Sequence, residues 1–153
     1  MADIKKYEGI IPAFYACYDA EGKVSLDACK ALTQYYIDKG VQGLYVGGSS
    51  GECIYQSKEE RKAVLEAVME VAKGKLTVIA HIACNNTADS QELAAHAESL
   101  GVDAIASIPP IYFKLPPMPL PSTGMTCPQP LPTPTSSSTT FPSWLAFPCP
   151  CLC

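Results

Sequence analysis

Residues 43–74 read GLYVGGSSGECIYQSKEERKAVLEAVMEVAKG. They open with a short apolar run typical of a buried strand, and a glycine-rich loop follows it. Ser57 and Glu60 then form the Ser-x-x-Glu signature of a helix start, after which apolar residues recur at helical spacing as far as Gly74. The stretch therefore predicts a strand, a loop and a helix, which together make one βα unit.

A similar unit precedes this stretch. Residues 10–17 are mostly apolar or aromatic and predict a buried strand. Ser25 is placed to cap the helix that follows, because its hydroxyl can accept a hydrogen bond from the first turn, and Gly40 is placed to end that helix. The strand at residue 43 comes almost directly afterwards, as expected for a βα repeat.

One more unit and a fourth strand follow. Residues 76–82 predict a strand, Thr87 is placed to cap a helix that ends at Gly101, and residues 103–108 predict the last strand. Because every helix ends in a glycine that leads into a strand, we expect the α/β class, with parallel strands joined by helical crossovers. A doubly wound sheet and a (β/α)8 barrel both fit, but three and a half units cannot close a barrel of about 250 residues.

The composition changes after residue 115. All 11 lysines and arginines and all 15 aspartates and glutamates lie at or before Lys114. Residues 116–153 instead contain 11 prolines and 11 serines or threonines, a composition that cannot bury a core. We expect a partial α/β domain over residues 1–115 and a disordered tail over 116–153. The tail has two further interpretations, a Pro-rich ligand for SH3 or WW modules and an out-of-frame, non-native sequence.

Charge and hydropathy narrow the class of partner. The formal net charge is −4 and no basic stripe occurs, so we expect no nucleic-acid partner. No apolar run approaches the length of about 18 residues that spans a bilayer, so we expect no membrane partner and a cytoplasmic location. A small-molecule substrate is the remaining expectation.

The eight cysteines do not form a metal-binding or disulfide pattern. No C-x-x-C pair occurs, and four cysteines are spread singly through the first 115 residues, where we expect reduced, packed thiols. They are Cys17, Cys29, Cys53 and Cys84. The closing Cys149-Pro-Cys151-Leu-Cys153 run lacks zinc-type spacing, so we expect no metal site.

The candidate site is the loop Gly47-Gly48-Ser49-Ser50-Gly51-Glu52, which follows a predicted strand. Ligands bind at this end of the strands in barrels and in open α/β sheets. Glycines allow close approach of the backbone, and adjacent hydroxyls and N–H groups suit a carboxylate or a phosphate. An equally weighted alternative is a tight turn whose hydroxyls bond to their own backbone.

The same loop satisfies the G-x-S-x-G pattern of serine hydrolases, with Ser49 as the nucleophile. The context disagrees, because residues 52–56 separate the loop from its helix and a nucleophile elbow runs directly into one. The two histidines are also poorly placed, since His81 lies in a predicted strand and His96 in a predicted helix.

Four stretches resemble the pyruvate-dependent class I aldolases of the N-acetylneuraminate lyase and dihydrodipicolinate synthase superfamily. They are GIIPAF over residues 9–14, GLYVGGSSGE over 43–52, IAHIAC over 79–84 and AIASIPPIYF over 104–113. The resemblance covers residues 7 to about 115. The G-G-S-S-G-E form of the loop is most similar to the bacterial N-acetylneuraminate lyase branch, since G-T-T-G-E is usual in dihydrodipicolinate synthases.

The resemblance implies the N-terminal part of a TIM (β/α)8 barrel, in a family that is usually homotetrameric. Its members form a Schiff base between a lysine and pyruvate and need no metal or organic cofactor. The implied activity is cleavage of sialic acid to N-acetylmannosamine and pyruvate. Ser49, Ser50 and Gly48 correspond to the family's pyruvate-carboxylate site, and Tyr112 to a catalytic tyrosine near the subunit interface that is linked to the proton relay.

The family's Schiff-base lysine lies on the sixth strand and a further catalytic tyrosine on the fifth, and neither strand is predicted in these 153 residues. Lys114 is the only lysine near the catalytic end, and it does not match the family position. We therefore expect the chain to be inactive alone. The alternatives are dihydrodipicolinate synthase or another 2-keto-acid aldolase, and a non-catalytic fragment with a Pro-rich interaction tail.

Overall fold

The computed structural model describes residues 4–108. Three α-helices and three strands alternate there: α1 (Leu26–Asp38), β1 (Gly43–Val46), α2 (Lys58–Ala72), β2 (Thr77–His81), α3 (Thr87–Leu100) and β3 (Ala104–Ala106). Short 3-10 helices occur at Ile4–Tyr7 and Ser49–Gly51. No helix within this part is long and apolar enough to cross a bilayer. The predicted tail over 116–153 lies outside the described residues.

The three strands form one parallel sheet in the order β1-β2-β3. Gly43 pairs with Thr77 at the start of β1, and Ile79 pairs with Ala104 where β2 meets β3. Strands that are consecutive in the chain are therefore neighbours in the sheet, each joined to the next by a helix. The predicted α/β class with parallel strands is confirmed.

The segment predicted as a strand over residues 10–17 forms only one isolated bridge, between Ala13 and Tyr45. It still runs beside β1, since Phe14 N donates to Tyr45 O at 2.8 Å and Tyr45 N donates to Pro12 O at 3.0 Å. Pro12 has no N–H to extend the ladder, and Ile10 N donates instead to the Gln42 side chain at 2.8 Å. The prediction of a buried strand is wrong in extent, because Ile10 has 68% of its surface exposed and residues 11–13 are only half-buried.

The predicted helix ends agree closely with the structure. The Ser25 side chain accepts from Ala28 N, and Ser57 and Glu60 form a complete capping box. Gly101, at the end of α3, takes the left-handed φ of +77° that lets the chain turn out of a helix.

The N-terminus of α3 differs from its prediction. Asn86 caps the helix rather than Thr87, with its side-chain oxygen accepting from Asp89 N at 2.8 Å. Thr87 is already the first helical residue.

One apolar core lies between the sheet and its helices. Phe14, Leu44, Val68, Val78 and Ile82 are its largest fully buried apolar side chains. Alternate residues of β1 and β2 supply the sheet side of this core, and α1, α2 and α3 each supply one apolar face. The core holds the carboxyl ends of β1 and β2 side by side, which is where the candidate loop begins.

Candidate active site

The glycine-rich loop of residues 47–57 leaves the carboxyl end of β1 and ends where α2 begins. Gly47 has a φ of +74°, which a side chain would strain. Residues Ser49–Gly51 then make a single turn of 3-10 helix, in which Gly51 N donates to Gly48 O at 3.0 Å. Glu52 closes the turn in the left-handed region with a φ of 54°. The chain therefore reverses sharply and presents two serines at the strand end.

The hydroxyl groups of Ser49 and Ser50 are the polar side-chain groups that this turn presents. Ser49 is exposed and Ser50 is half-buried. Among residues 4–108 neither hydroxyl makes a hydrogen bond, and neither amide N–H of this pair finds an acceptor. The turn in which the hydroxyls bond to their own backbone is therefore not the arrangement seen here. Four polar groups able to donate to an anion lie next to one another in sequence.

Gly48 lies close against an aromatic ring. A Cβ at this position would lie 2.6 Å from Cε1 of Tyr45, a contact that forces the ring to move. The Tyr45 ring in turn lies 6.1 Å from the His81 ring, centroid to centroid. Burial raises the pKa of the Tyr45 hydroxyl above its usual range. A glycine here lets the loop lie against this aromatic pair.

His81 is a buried strand residue, with 6% of its surface exposed. Its Nδ1 lies 2.8 Å from the carbonyl oxygen of Gly47, and because a carbonyl can only accept, Nδ1 carries the proton. Burial first, and then the nearby Arg61 charge, lower the pKa of the imidazole. The neutral ring thus donates to the first residue of the loop.

Arg61 is a site residue that the sequence analysis missed. It is buried, and its guanidinium donates to His81 O at 2.8 Å, to Ala83 O at 3.0 Å and to Cys84 Sγ at 3.1 Å. No ion pair to it forms within the described part of the chain. One signal was available: the chain's only arginine falls on the stripe of α2 that carries Val64, Leu65, Val68 and Ala72. A charged residue on a buried stripe indicates a specific internal partner.

Neither histidine supports the hydrolase interpretation. His96 Nε2 pairs with Glu66 Oε1 at 2.8 Å across α2 and α3, and His81 is bonded to Gly47. Neither makes a hydrogen bond to Ser49, which a serine nucleophile requires from its base. The helix also begins at a separate cap, Ser57, as the sequence predicted.

A cavity of about 380 Å³ lies beside the loop, at the carboxyl end of β2. Its volume is in the range of small-molecule sites. Its lining includes Cys53, Gln56, Ser57, Lys58, Asn86 and Ile108. Ser49 and Ser50 do not line it, so this cavity and the two serines are separate features of the same end of the sheet.

The four cysteines of the described part are free thiols, as predicted. Cys29 and Cys53 are buried, and Cys17 and Cys84 are half-buried. Burial, with Cys17 nearby, raises the pKa of Cys29 to about 12, so this thiol stays protonated at neutral pH. Across residues 4–108 no group of three or more histidine, cysteine or acidic side chains could hold a metal ion.

Tyr112 and Lys114 lie outside the described residues. The predicted role of Tyr112 therefore remains an expectation. Of the predicted site residues, the structure brings Gly48, Ser49 and Ser50 together on one turn at the strand end.

Comparison with known proteins defines the class to which this fold and loop belong. A family model described as the dihydrodipicolinate synthetase family matches residues 6–122, and the chain belongs to this family. The predicted resemblance is therefore confirmed. The family match extends past residue 115, and the boundary placed there stays a prediction.

Within the family, the chain is most usefully compared with N-acetylneuraminate lyases. It is 71% identical over 116 residues to the N-acetylneuraminate lyase of Mediterraneibacter gnavus, covering 76% of this chain and 37% of that protein. It is 42% identical over 109 residues to the enzyme of Enterobacter sp. strain 638, covering 71% and 37%. The chain thus spans about 37% of the length of these curated relatives.

Solved structures agree with the sequence comparison. The wild-type Ruminococcus gnavus sialic acid aldolase matches with a TM-score of 0.72 and 73% identity, covering 72% of this chain and 37% of the other. A dihydrodipicolinate synthase from Aquifex aeolicus matches with a TM-score of 0.65 and 31% identity, covering 69% and 36%. The described part of the chain is therefore a portion of a TIM-barrel aldolase fold, and the predicted partial barrel is confirmed.

Proposed function

We propose that this chain carries the pyruvate-carboxylate site of a Schiff-base aldolase that cleaves N-acetylneuraminate to N-acetylmannosamine and pyruvate. The observation that carries the proposal is the turn at residues 48–50, whose two hydroxyls and two N–H groups have no acceptor among the described residues. A carboxylate would satisfy these donors with charge-assisted hydrogen bonds, which are stronger than neutral ones. The identity of 71% to a lyase supports this substrate over that of a synthase.

The proposed role of the loop is to orient the substrate. With the carboxylate held at Ser49 and Ser50, the adjacent keto carbon has a fixed position relative to the barrel axis. A lysine amine reacting there would gain from this orientation, because positioning replaces a bimolecular encounter. One solved relative is described as a catalytic lysine mutant of a sialic acid aldolase, which supports lysine chemistry in the complete enzyme.

Further proposals concern the other residues, the assembly and the tail of the protein. We propose that Tyr112 acts in proton relay, that the complete enzyme is a cytoplasmic homotetramer and that no organic cofactor or metal takes part. We also propose that residues 1–115 form a partial barrel and residues 116–153 a separate tail. The 153 residues alone would then bind the carboxylate and lack the amine that reacts with the ketone.

A chimera tests the proposed function. Residues 4–108 of this chain replace the aligned segment of the Mediterraneibacter gnavus lyase, and cleavage of N-acetylneuraminate is measured. We expect the chimera to cleave the sugar acid. In it, Ser50→Ala should raise KM by about tenfold or more, because a hydrogen bond to a charged group contributes about 1.5–3 kcal/mol.

The matched control is Ser99→Ala on α3, which removes an exposed hydroxyl bonded to His96 O within the helix. This control should leave KM unchanged. If the chimera folds and Ser50→Ala and Ser99→Ala have the same KM as the parent chimera, then the loop does not bind the carboxylate.

A further inference from the structure

The start of the glycine-rich loop and the helix that follows the loop both contact one residue of β2, His81. At the start of the loop, His81 Nδ1 donates to Gly47 O at 2.8 Å. Just past its end, Arg61 in the first turns of α2 donates to the backbone oxygen of His81 at 2.8 Å. His81 thus contacts Gly47 of the loop through its ring and Arg61 of α2 through its carbonyl oxygen.

We propose that His81 is a positioning residue that fixes the loop presenting Ser49 and Ser50. That this loop binds a ligand rests on the proposed function. That His81 holds the loop in place is independent of it, because the contact exists without any ligand. The contact acts on Gly47, the residue immediately before the proposed carboxylate site.

The loop needs such an anchor because its own sequence favours freedom. Two adjacent glycines begin it, and glycine loses more backbone entropy on ordering than any other residue. Gly47 and Glu52 both occupy the left-handed region, at φ values of 74° and 54°. Within the turn, the amides of Gly51 and Glu52 donate at 3.0 Å to carbonyls three residues earlier. These short-range bonds order the turn itself. Its position is set by contacts from outside: Ala16 N donates to Ser50 O at 3.4 Å, the Tyr18 hydroxyl donates to Glu52 Oε2 at 2.8 Å, and His81 holds Gly47, where the loop leaves the sheet.

The position of His81 explains why its anchoring contact is fixed. The side chain is buried, and the backbone of residue 81 pairs with Ala106 of β3. Arg61 adds a further restraint by donating also to Ala83 O, two residues along. The donor nitrogen is therefore held by the sheet and by α2 before it contacts Gly47. The alternative role for the ring is simple packing against Tyr45, whose ring centroid lies 6.1 Å away.

Two substitutions of His81 distinguish its role as hydrogen-bond donor to Gly47 from a role in packing against Tyr45. The side-chain nitrogen of asparagine occupies nearly the position of histidine Nδ1, whereas that of glutamine reaches the position of Nε2. His81→Asn should therefore keep the bond to Gly47, and His81→Gln should lose it. Both variants place an amide of similar polarity in the same buried position, so differences in folding are matched.

The test is amide hydrogen exchange on the full 153-residue chain and these two variants. We expect the Gly51 and Glu52 amides to exchange about fivefold faster in His81→Gln, the change expected from one hydrogen bond of about 1 kcal/mol. His81→Asn should restore exchange to the wild-type rate. The amides of α1 provide the reference within each sample, because α1 makes no hydrogen bond to His81 or Gly47 within the described residues.

The proposal is overturned if both variants exchange alike at Gly51 and Glu52, or if His81→Gln leaves these amides at the wild-type rate. If the exchange test gives the expected result but Ser50→Ala has no effect in the chimera, then His81 does anchor the loop and the proposed function is wrong. The two failures are therefore distinguishable.

Discussion

Phe14→Ala is expected to lower the free energy of unfolding by about 3–5 kcal/mol, the usual cost of removing a buried aromatic side chain. Phe14 has 1% of its surface exposed, and its ring lies 6.3 Å from that of Tyr36, centroid to centroid. It also lies under the candidate loop, since its carbonyl oxygen is 3.1 Å from where a Cβ on Gly51 would be. Urea unfolding followed by circular dichroism measures the change.

Tyr15→Ala is the control for this prediction. Tyr15 is the next residue in the chain and has 62% of its surface exposed. Its removal should change the unfolding midpoint little, as is usual for surface substitutions. Equal midpoints for the two variants would show that residue 14 does not lie in the core and that the segment beside β1 is misplaced.

Gly43→Ala is expected to cost about 3 kcal/mol by a different route, overpacking at the sheet. A Cβ on Gly43 would lie 2.5 Å from the backbone oxygen of Thr77 and 3.3 Å from Cγ1 of Ile11. Because the first of these atoms belongs to the paired strand, β1 and β2 must separate to admit the methyl group. Thermal unfolding of the variant should show a clearly lower midpoint.

Gly40→Ala controls for the loss of glycine itself. Gly40 has a φ of +72°, and no atom lies within 4 Å of where its Cβ would be. Its substitution should therefore cost only the strain of the left-handed conformation, about 1–2 kcal/mol. Were Gly40→Ala the more damaging of the two, the close approach of β1 to β2 at Gly43 would be contradicted.

The elements with local signals were predictable from sequence. Ser25 and Ser57 act as caps, and Gly40 and Gly101 end helices, because capping depends on residues within one turn of the helix end. The length of the strand predicted over residues 10–17 was too great. The apolar residues of this segment suggest a strand, but Pro12 has no backbone N–H to continue the hydrogen-bond ladder. Asn86 and Thr87 are both suitable N-cap residues, and the sequence pattern alone does not show which of the two caps α3.

The candidate loop was predictable, and the contacts that hold it were not. Gly48, Ser49 and Ser50 are adjacent in sequence and follow a predicted strand. The bond between His81 and Gly47 spans 34 residues, and that between Arg61 and His81 spans 20. Such pairs depend on the register of β1 against β2, which a single sequence does not specify.

We propose that this chain supplies the carboxylate site of the aldolase and not its reacting amine. Borohydride reduction in the presence of pyruvate, read by intact mass, shows whether a lysine of the chain reacts with the ketone. We expect no pyruvate adduct on the 153-residue chain and one adduct on the chimera, which contains the remainder of a lyase. An adduct on a lysine of the 153-residue chain, or a folded chimera with no adduct, would contradict this division of roles.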